Sequence, residues 1–511
     1  MYWTARVLGI FRATTAVPNP LQERGYMAKI SRCFWLLLAI SSVLPMLGCG
    51  DSNTPGPAPA SSVYQVVTVS DLHFNSFYDP SLYSSLATAD ASQWADIFQT
   101  SKATSPTGGG TDTNYPLLML TLADMKQHMG ASPVVLFTGD MLGHYIPENF
   151  YCAYYNVNPC TYNPPNYPTP DATAIAAMQH FIDKTFAFVA TQIRASVGNT
   201  PVLYVPGNID TYQVTGVGPD NNFLANNAST VYNQLLNGSV DHETFLSTFL
   251  SDGYYAAQPL GAQLLVIGLN TNSFTAGAPS STQAAAELAW LSSQLASAQA
   301  AGQNVWILMH VPPGANSQGM AGDTPGQLDE SNVSMNWDPG LQATFMETLT
   351  QYAGVVTLML AGHTHMDEFR ILPTGNVLEQ LPGISPCFGN NPAYKVLTIT
   401  QDTFLPTDYE SFEYDLSATP IPTQFSSLYK LSSAYGSQGT LNYSLQHLYP
   451  QLVSNQGQRG LYTNYYSSGS TAINPKSQAP WNPINTGNWS IFSCTISQVD
   501  EPDYIDCVNT Y

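Results

Sequence analysis

The chain has 511 residues, 44% of them hydrophobic, with 35 acidic against 14 basic residues and a formal charge of −21 at pH 7. That length suits one large domain with an appendage. So few, dispersed cations cannot line a phosphate-backbone track, which excludes nucleic-acid binding through a basic surface, and a phosphate-handling site in so acidic a chain would need its positive charge from metal ions.

Residues 1–26 carry no periodic pattern, and Met27 offers a second start, so the first stretch reads as an upstream artefact. Lys29 and Arg32 then precede an apolar run from Cys33 to Leu47. This run is short of the roughly 20 residues that span a bilayer. A basic start, a short apolar core and a small residue at its end instead mark a secretory signal over 27–48. Gly48-Cys49 resembles a bacterial lipobox, whose cysteine takes lipid and becomes the mature N-terminus. A cleavable signal followed by an incidental cysteine is the alternative. The chain is thus expected in a bacterial periplasm or on an outer-membrane or cell surface, held to the membrane through a lipid on Cys49. Residues 49–62, rich in Pro, Ser and Gly, cannot bury a core and read as a tether. Beyond residue 48, nine basic and 34 acidic residues remain, a charge of −25.

Val63–Ser70 is rich in β-branched residues and reads as a strand running directly into Asp71. Pro116–His128 reads as a helix and Pro133–Thr138 as a short buried strand. A long helix is expected over Asp171–Val197, opened by Asp171 as N-cap. Pro201–Val205 and Leu264–Leu269 follow as strands, then an Ala-rich helix from about Ser281 to Ala301. Val305–Met309, Val355–Leu360, Phe369–Leu372 and Tyr394–Thr400 complete the strand candidates. This alternation predicts an α/β layered domain over 63–400. Asn75–Asn114 and Tyr145–Pro170 read as long loops, and long loops are usually functional or inserted. Past Gln401 the alternation stops, and 401–511 reads as a helical and loop-rich C-terminal subdomain. In an oxidising compartment the nearby pairs Cys152–Cys160 and Cys494–Cys507 read as disulfides, with Cys387 left over, although spacing alone does not fix connectivity.

Polar residues recur where the apolar strands end: Asp71 and His73 in SDLH, Asp140 in TGDMLGH, Asn208 in PGNID, His310 in MHVPPG, and His363 and His365 in AGHTH. Carboxylate, amide and imidazole donors suit zinc, manganese or iron. Asp-x-His and His-x-His spacing lets neighbouring side chains serve two ions, which can clamp a phosphoryl group and activate a water.

The series DLH, GD, GN, H, GHTH resembles the calcineurin-like metallophosphoesterases. Within them, GDMLGH, HVPPG, SPCFGNNPAYKV and the C-terminal FSSLYKLSSAYG are similar to the acid sphingomyelinase-like phosphodiesterases. The resemblance covers roughly Val63 to Tyr511. It implies an αββα sandwich and two divalent ions, zinc foremost. Asp71, His73, Asp140 and His365 would hold one ion; Asp140, Asn208, His310 and His363 would hold the other, with Asp140 bridging. It further implies hydrolysis of a phosphodiester by a metal-activated hydroxide, with His144 protonating the leaving oxygen. The family's usual GNH reads GNI here, so Ile209 stands where an imidazole is expected. Lysosomal-type sphingomyelinases carry a lipid-extracting module ahead of the catalytic domain, and only the short tether precedes Val63. Soluble phosphodiesters and nucleotides are therefore expected on a par with sphingomyelin. The alternative suggested by Ile209 is a degenerate metal- or ligand-binding surface lipoprotein.

Overall fold

The computed structural model describes residues 62–511 apart from 163, 214–217, 219, 279–280, 437 and 472–483. The expected signal at 27–48, Cys49 and all of the tether except residue 62 lie outside the described residues. The strands in chain order are β1 (Val63–Val69), β2 (Val135–Phe137), β3 (Val202–Tyr204), β4 (Tyr255–Ala257), β5 (Leu264–Gly268), β6 (Asn304–Leu308), β7 (Val356–Ala361), β8 (Glu368–Ile371), β9 (Val377–Gln380), β10 (Ala393–Thr400), β11 (Pro406–Glu413) and β12 (Ser426–Lys430). They form two six-stranded sheets, ordered β12-β11-β10-β1-β2-β3 and β4-β5-β6-β7-β9-β8. Within them β1-β2-β3 and β5-β6-β7-β9 run parallel; antiparallel strands flank the second set on both sides, whereas in the first sheet they lie beside β1 and β3 forms the edge.

Side-chain alternation builds the layers. On β5, β6 and β7, Leu264, Val266, Trp306, Leu308, Leu358 and Leu360 join one core shared with the first sheet. Their neighbours Leu265, Ile267, Val305, Ile307, Met359 and Ala361 face the other way, into a second core. There they meet Leu288, Leu291 and Leu295 of helix Ser281–Ala301 and Phe345 and Leu349 of helix Pro339–Gln351. A strand buried on both faces has no polar side, which is why these segments read as continuous apolar runs. Helices Tyr115–Met129 and Ala172–Val197 pack with the first sheet. The result is the expected α/β layered sandwich. Asp171 caps the longer helix, its carboxylate accepting from the Ala174 N–H at 2.8 Å.

Between the sheets lies a polar clasp. Lys395 of β10 is fully buried and pairs with Glu379 of β9 at 2.6 Å and Asp367 at 2.7 Å, beneath the Tyr409 ring. Removing one partner of such a group would leave a buried charge uncompensated, at a cost of about 3–5 kcal/mol.

The two spans expected as long loops carry short helices: Tyr83–Thr88 and Trp94–Phe98 in the first, Ile146–Tyr154 in the second. Trp94, Phe98 and Phe150 are buried, and all three rings reach Phe181 or Phe188 of the long helix. Tertiary aromatic packing, invisible to local periodicity, stabilises these turns. Past residue 400, β11 pairs with β10 and β12 with β11, so the first sheet continues there. Helices Leu441–Ser454, Gln456–Tyr466, Trp489–Ser497 and Glu501–Thr510 follow. Disulfides join Cys152 to Cys160 and Cys494 to Cys507, and Cys387 is free. Among the described residues no helix is long and apolar enough to cross a membrane.

Candidate metal centre

All seven expected ligands lie just beyond the C-terminal ends of parallel strands: Asp71 and His73 after β1, Asp140 after β2, Asn208 after β3, His310 after β6, His363 and His365 after β7. In open α/β sheets this is where ligands bind. The loops stay paired where the strands end. The Asp71 N–H donates to Gly139 O and the His73 N–H to Asp140 O, both at 2.9 Å, and Gly362 N–H to His310 O at 3.0 Å. Asp71, His73, Asp140, His363 and His365 all have positive φ, between 41° and 77°. Each such residue costs about 1–2 kcal/mol. Clustered strain of this kind is typical of a functional site.

The motif glycines have a steric reason. A Cβ on Gly207 would lie 2.0 Å from Asp140 Oδ1, and one on Gly362 would lie 2.1 Å from Ser70 Oγ. GN and GH are therefore close backbone approaches that bring β3 and β7 loops onto the Asp140 and Asp71 carboxylates.

Imidazole orientation fixes the chemistry. Nδ1 of His73 faces Leu142 O at 3.1 Å, that of His310 faces Thr138 O at 2.7 Å, and that of His365 faces Ser385 O at 3.0 Å. A carbonyl only accepts, so each Nδ1 carries the hydrogen and each Nε2 turns its lone pair inward. Those inward nitrogens meet other acceptors. His73 and His365 face each other at 3.0 Å, and His73 and His310 lie 3.3 and 3.1 Å from Asp140 Oδ2. Asp71 Oδ1 is 3.4 Å from His365 Nε2, and Asn208 Oδ1 is 3.0 Å from His310 Nε2 and 2.9 Å from His363 Nδ1. Acceptors so crowded repel one another unless protons or cations lie among them. Neighbouring ligands on a zinc ion at about 2.0–2.1 Å are themselves separated by about 3.3 Å, so the donor set fits such ions.

Held by protons alone, the cluster divides. Burial lowers the basicity of His73 and His310, but the Asp140 carboxylate outweighs it and raises both to about 9. Burial, with neighbouring imidazolium charge, leaves His363 and His365 at about 4. Burial pushes Asp71 up, yet His365 and the other imidazoles bring it down to about 2, and Asp140 is driven lower still. Two imidazolium charges thus balance two carboxylates, the charge that cations would supply. Among the described residues, those that can hold an ion group as Asp71, His73, His365, as Asp71, Asp140, His310, and as His73, Asp112, His144.

His144 stands at the rim, its ring stacked on His73 at 4.2 Å. Asp112 orients it, accepting from the His144 backbone N–H at 2.6 Å and facing Nδ1 at 2.9 Å. Its Nε2 is the nitrogen left to meet a substrate. Ile209 is close by, its backbone N–H donating to Asp140 Oδ1 at 2.7 Å.

Sequence reasoning missed Asp112, which sits in an irregular Gly-rich segment with no strand before it. It also passed over Asp210, inside the PGNID motif. The buried Asp210 carboxylate accepts from the backbone N–H groups of Asp140, Met141, Leu142 and Gly207 at 2.9–3.0 Å and from the Tyr204 hydroxyl at 2.6 Å. It thereby fixes the loop that presents Asp140. The short separation from Asn208 was the available signal. Cys387 lies 3.8 Å from His365 Nδ1.

No family model matches the chain. It is 23% identical over 449 residues to sphingomyelinase phosphodiesterase D of Dictyostelium discoideum, covering 80% of this chain and 90% of that one. Against the human acid sphingomyelinase-like phosphodiesterase 3b the figure is 26% over 310 residues, covering 54% and 63%. Against a human cyclic GMP-AMP phosphodiesterase it is 23% over 432 residues, covering 80% of each. The chain is a relative of the acid sphingomyelinase-like phosphodiesterases.

Proposed function

We propose that the chain is a two-metal phosphoesterase that hydrolyses phosphodiesters. The observation that carries this reading is the ring of inward-facing acceptors, with Asp140 Oδ2 within 3.3 Å of His73 and His310 at once. Asp71, His73, Asp140 and His365 would hold one ion, and Asp140, Asn208, His310 and His363 the other. Zinc is the proposed metal, manganese or iron the alternatives. Bound ions would supply a nucleophile from water at neutral pH and neutralise the phosphate oxygens. The chain's own residues do the rest. Asp112 holds the His144 ring so that Nε2 can pass a proton to the departing oxygen. Ile209 cannot donate one, so this task falls on His144. Sphingomyelin-like, nucleotide and other soluble diesters are the proposed substrates.

The same proposal includes export under a signal at 27–48, a lipid on Cys49 and, within the region expected from residue 401, a helical C-terminal subdomain that follows the two strands β11 and β12 extending the first sheet. A Cys49→Ser protein should leave the membrane fraction.

Metal analysis together with hydrolysis of bis(4-nitrophenyl) phosphate tests the central claim. Purified protein should hold two ions per chain and lose activity with a chelator. Asp140→Ala should lose more metal than His73→Ala, because only Asp140 serves both ions. Equal losses would defeat the bridging assignment, and less than one ion per chain after reconstitution would defeat the site. Ile209 favours a second reading, a surface binder with little catalysis. Full metal content with no turnover would select it.

A further inference from the structure

The residue after His144 is a tyrosine in an unusual place. Tyr145 has φ 58° and ψ 22°, a left-handed conformation that bulky side chains seldom adopt, and its side chain is 54% exposed. Tertiary context has to hold it there. Part of that context is a second exposed ring. Tyr162 lies parallel to Tyr145, with ring centres 5.0 Å apart and planes 10° apart. Tyr162 is itself tied down, its hydroxyl donating to Asn149 Oδ1 at 3.0 Å, and the nearby Cys152–Cys160 disulfide closes the segment. Neither ring serves the core. Tyr145 and Ile209 line one crevice with Leu142, Ile146, Thr211 and Gln213. The Tyr145 ring is 6.2 Å from the His144 ring.

His144 marks the leaving-group side of the phosphate, an orientation that rests on the phosphoesterase reading above. We propose that Tyr145, its plane fixed by Tyr162, is the leaving-group subsite, and that it takes a nucleoside by stacking on the base. Offset parallel stacking suits a flat, polarised ring. The pair is already ordered, so a third ring joins it without the ordering cost that a free side chain would exact. A nucleoside leaving group is uncharged, so the strong negative charge of the chain does not oppose it. The flexible chains of a ceramide gain nothing from parallel rings.

Adenosine titrated calorimetrically into the zinc-loaded full chain reads the subsite without any turnover. Tyr145→Ala should weaken adenosine binding about tenfold, within the range found for base–aromatic stacking. Tyr145→Phe should bind like wild type, and Tyr162→Ala should fall between. In turnover, Tyr145→Ala should raise KM about tenfold for a dinucleoside monophosphate, and by a much smaller factor for sphingomyelin in mixed micelles. Equal adenosine affinity in wild type and Tyr145→Ala overturns the proposal. So does a Tyr145→Ala enzyme impaired on sphingomyelin and intact on the dinucleotide, which would make the ring pair a lipid-facing surface. Wild type inert toward bis(4-nitrophenyl) phosphate would sink the phosphoesterase reading instead, and the adenosine titration would still decide the subsite.

Discussion

Replacing Asp112 with Asn probes how the chain delivers a proton to a leaving group. Asp112 is buried, and burial alone would raise its carboxyl, but the hydrogen bond and charge of His144 hold it below the usual carboxylate range. Its two oxygens accept separately from the His144 backbone N–H and ring at 2.6 and 2.9 Å. An amide has one acceptor oxygen, so Asp112→Asn must forfeit one of these bonds and the charge behind both. A hydrogen bond to a charged group is worth about 1.5–3 kcal/mol, which at about 1.4 kcal/mol per decade is on the order of 10–150-fold. The loss should appear only where protonation limits the rate. With diesters that release an alkoxide, kcat/KM should fall by that factor. With 4-nitrophenolate, which leaves without a proton, it should fall less than threefold, roughly. His144→Ala should show the same split more strongly, up to the 10²–10⁴-fold typical of general acids. Steady-state kinetics on both substrate types, with metal content checked in each variant, gives the comparison. Equal losses on both would refute the acid role and make the Asp112–His144 pair a phosphate-orienting device.

Two further outcomes follow from the packing. Gly207→Ala places a Cβ 2.0 Å from Asp140 Oδ1, so it should separate the β2 and β3 loops and lower both bound metal, by elemental analysis, and activity by more than about 100-fold. Asp252 is almost fully buried near Glu287, and burial pushes its carboxyl up to about 7 from an unfolded value of about 3.9. The folded state therefore keeps a proton that the unfolded state releases, and stability falls as pH rises from about 4 through 7. Asp252→Asn escapes this, so its advantage over wild type in urea unfolding should grow between pH 5 and pH 8; a constant difference would show that the carboxyl ionises freely.

The local signals in the sequence were those that strands and metal donors leave behind. Doubly buried strands leave apolar runs, and Val135–Phe137 and Val356–Ala361 fall within or beside the segments so expected, while Val63–Val69 falls within a stretch marked by its β-branched residues. Donors at the ends of such runs are legible because a parallel strand must deliver its next residues to one edge of the sheet, which is how seven residues far apart in sequence became candidates for one site. Tertiary structure alone decided the orientation of that site. Which nitrogen each histidine presents depends on carbonyls at Leu142, Thr138 and Ser385, and the His144 ring depends on a carboxylate 32 residues earlier. Asp210 contributes through four N–H groups and a hydroxyl that no periodicity registers. The strand β11 was illegible because Thr407, Asp408, Glu410 and Ser411 make its composition polar, and its pairing with β10 supplies what that composition does not. Hydrophobic pattern is a local property of the chain, whereas hydrogen-bond partners and stacked rings such as Tyr145 and Tyr162 exist only once distant segments have been brought within reach.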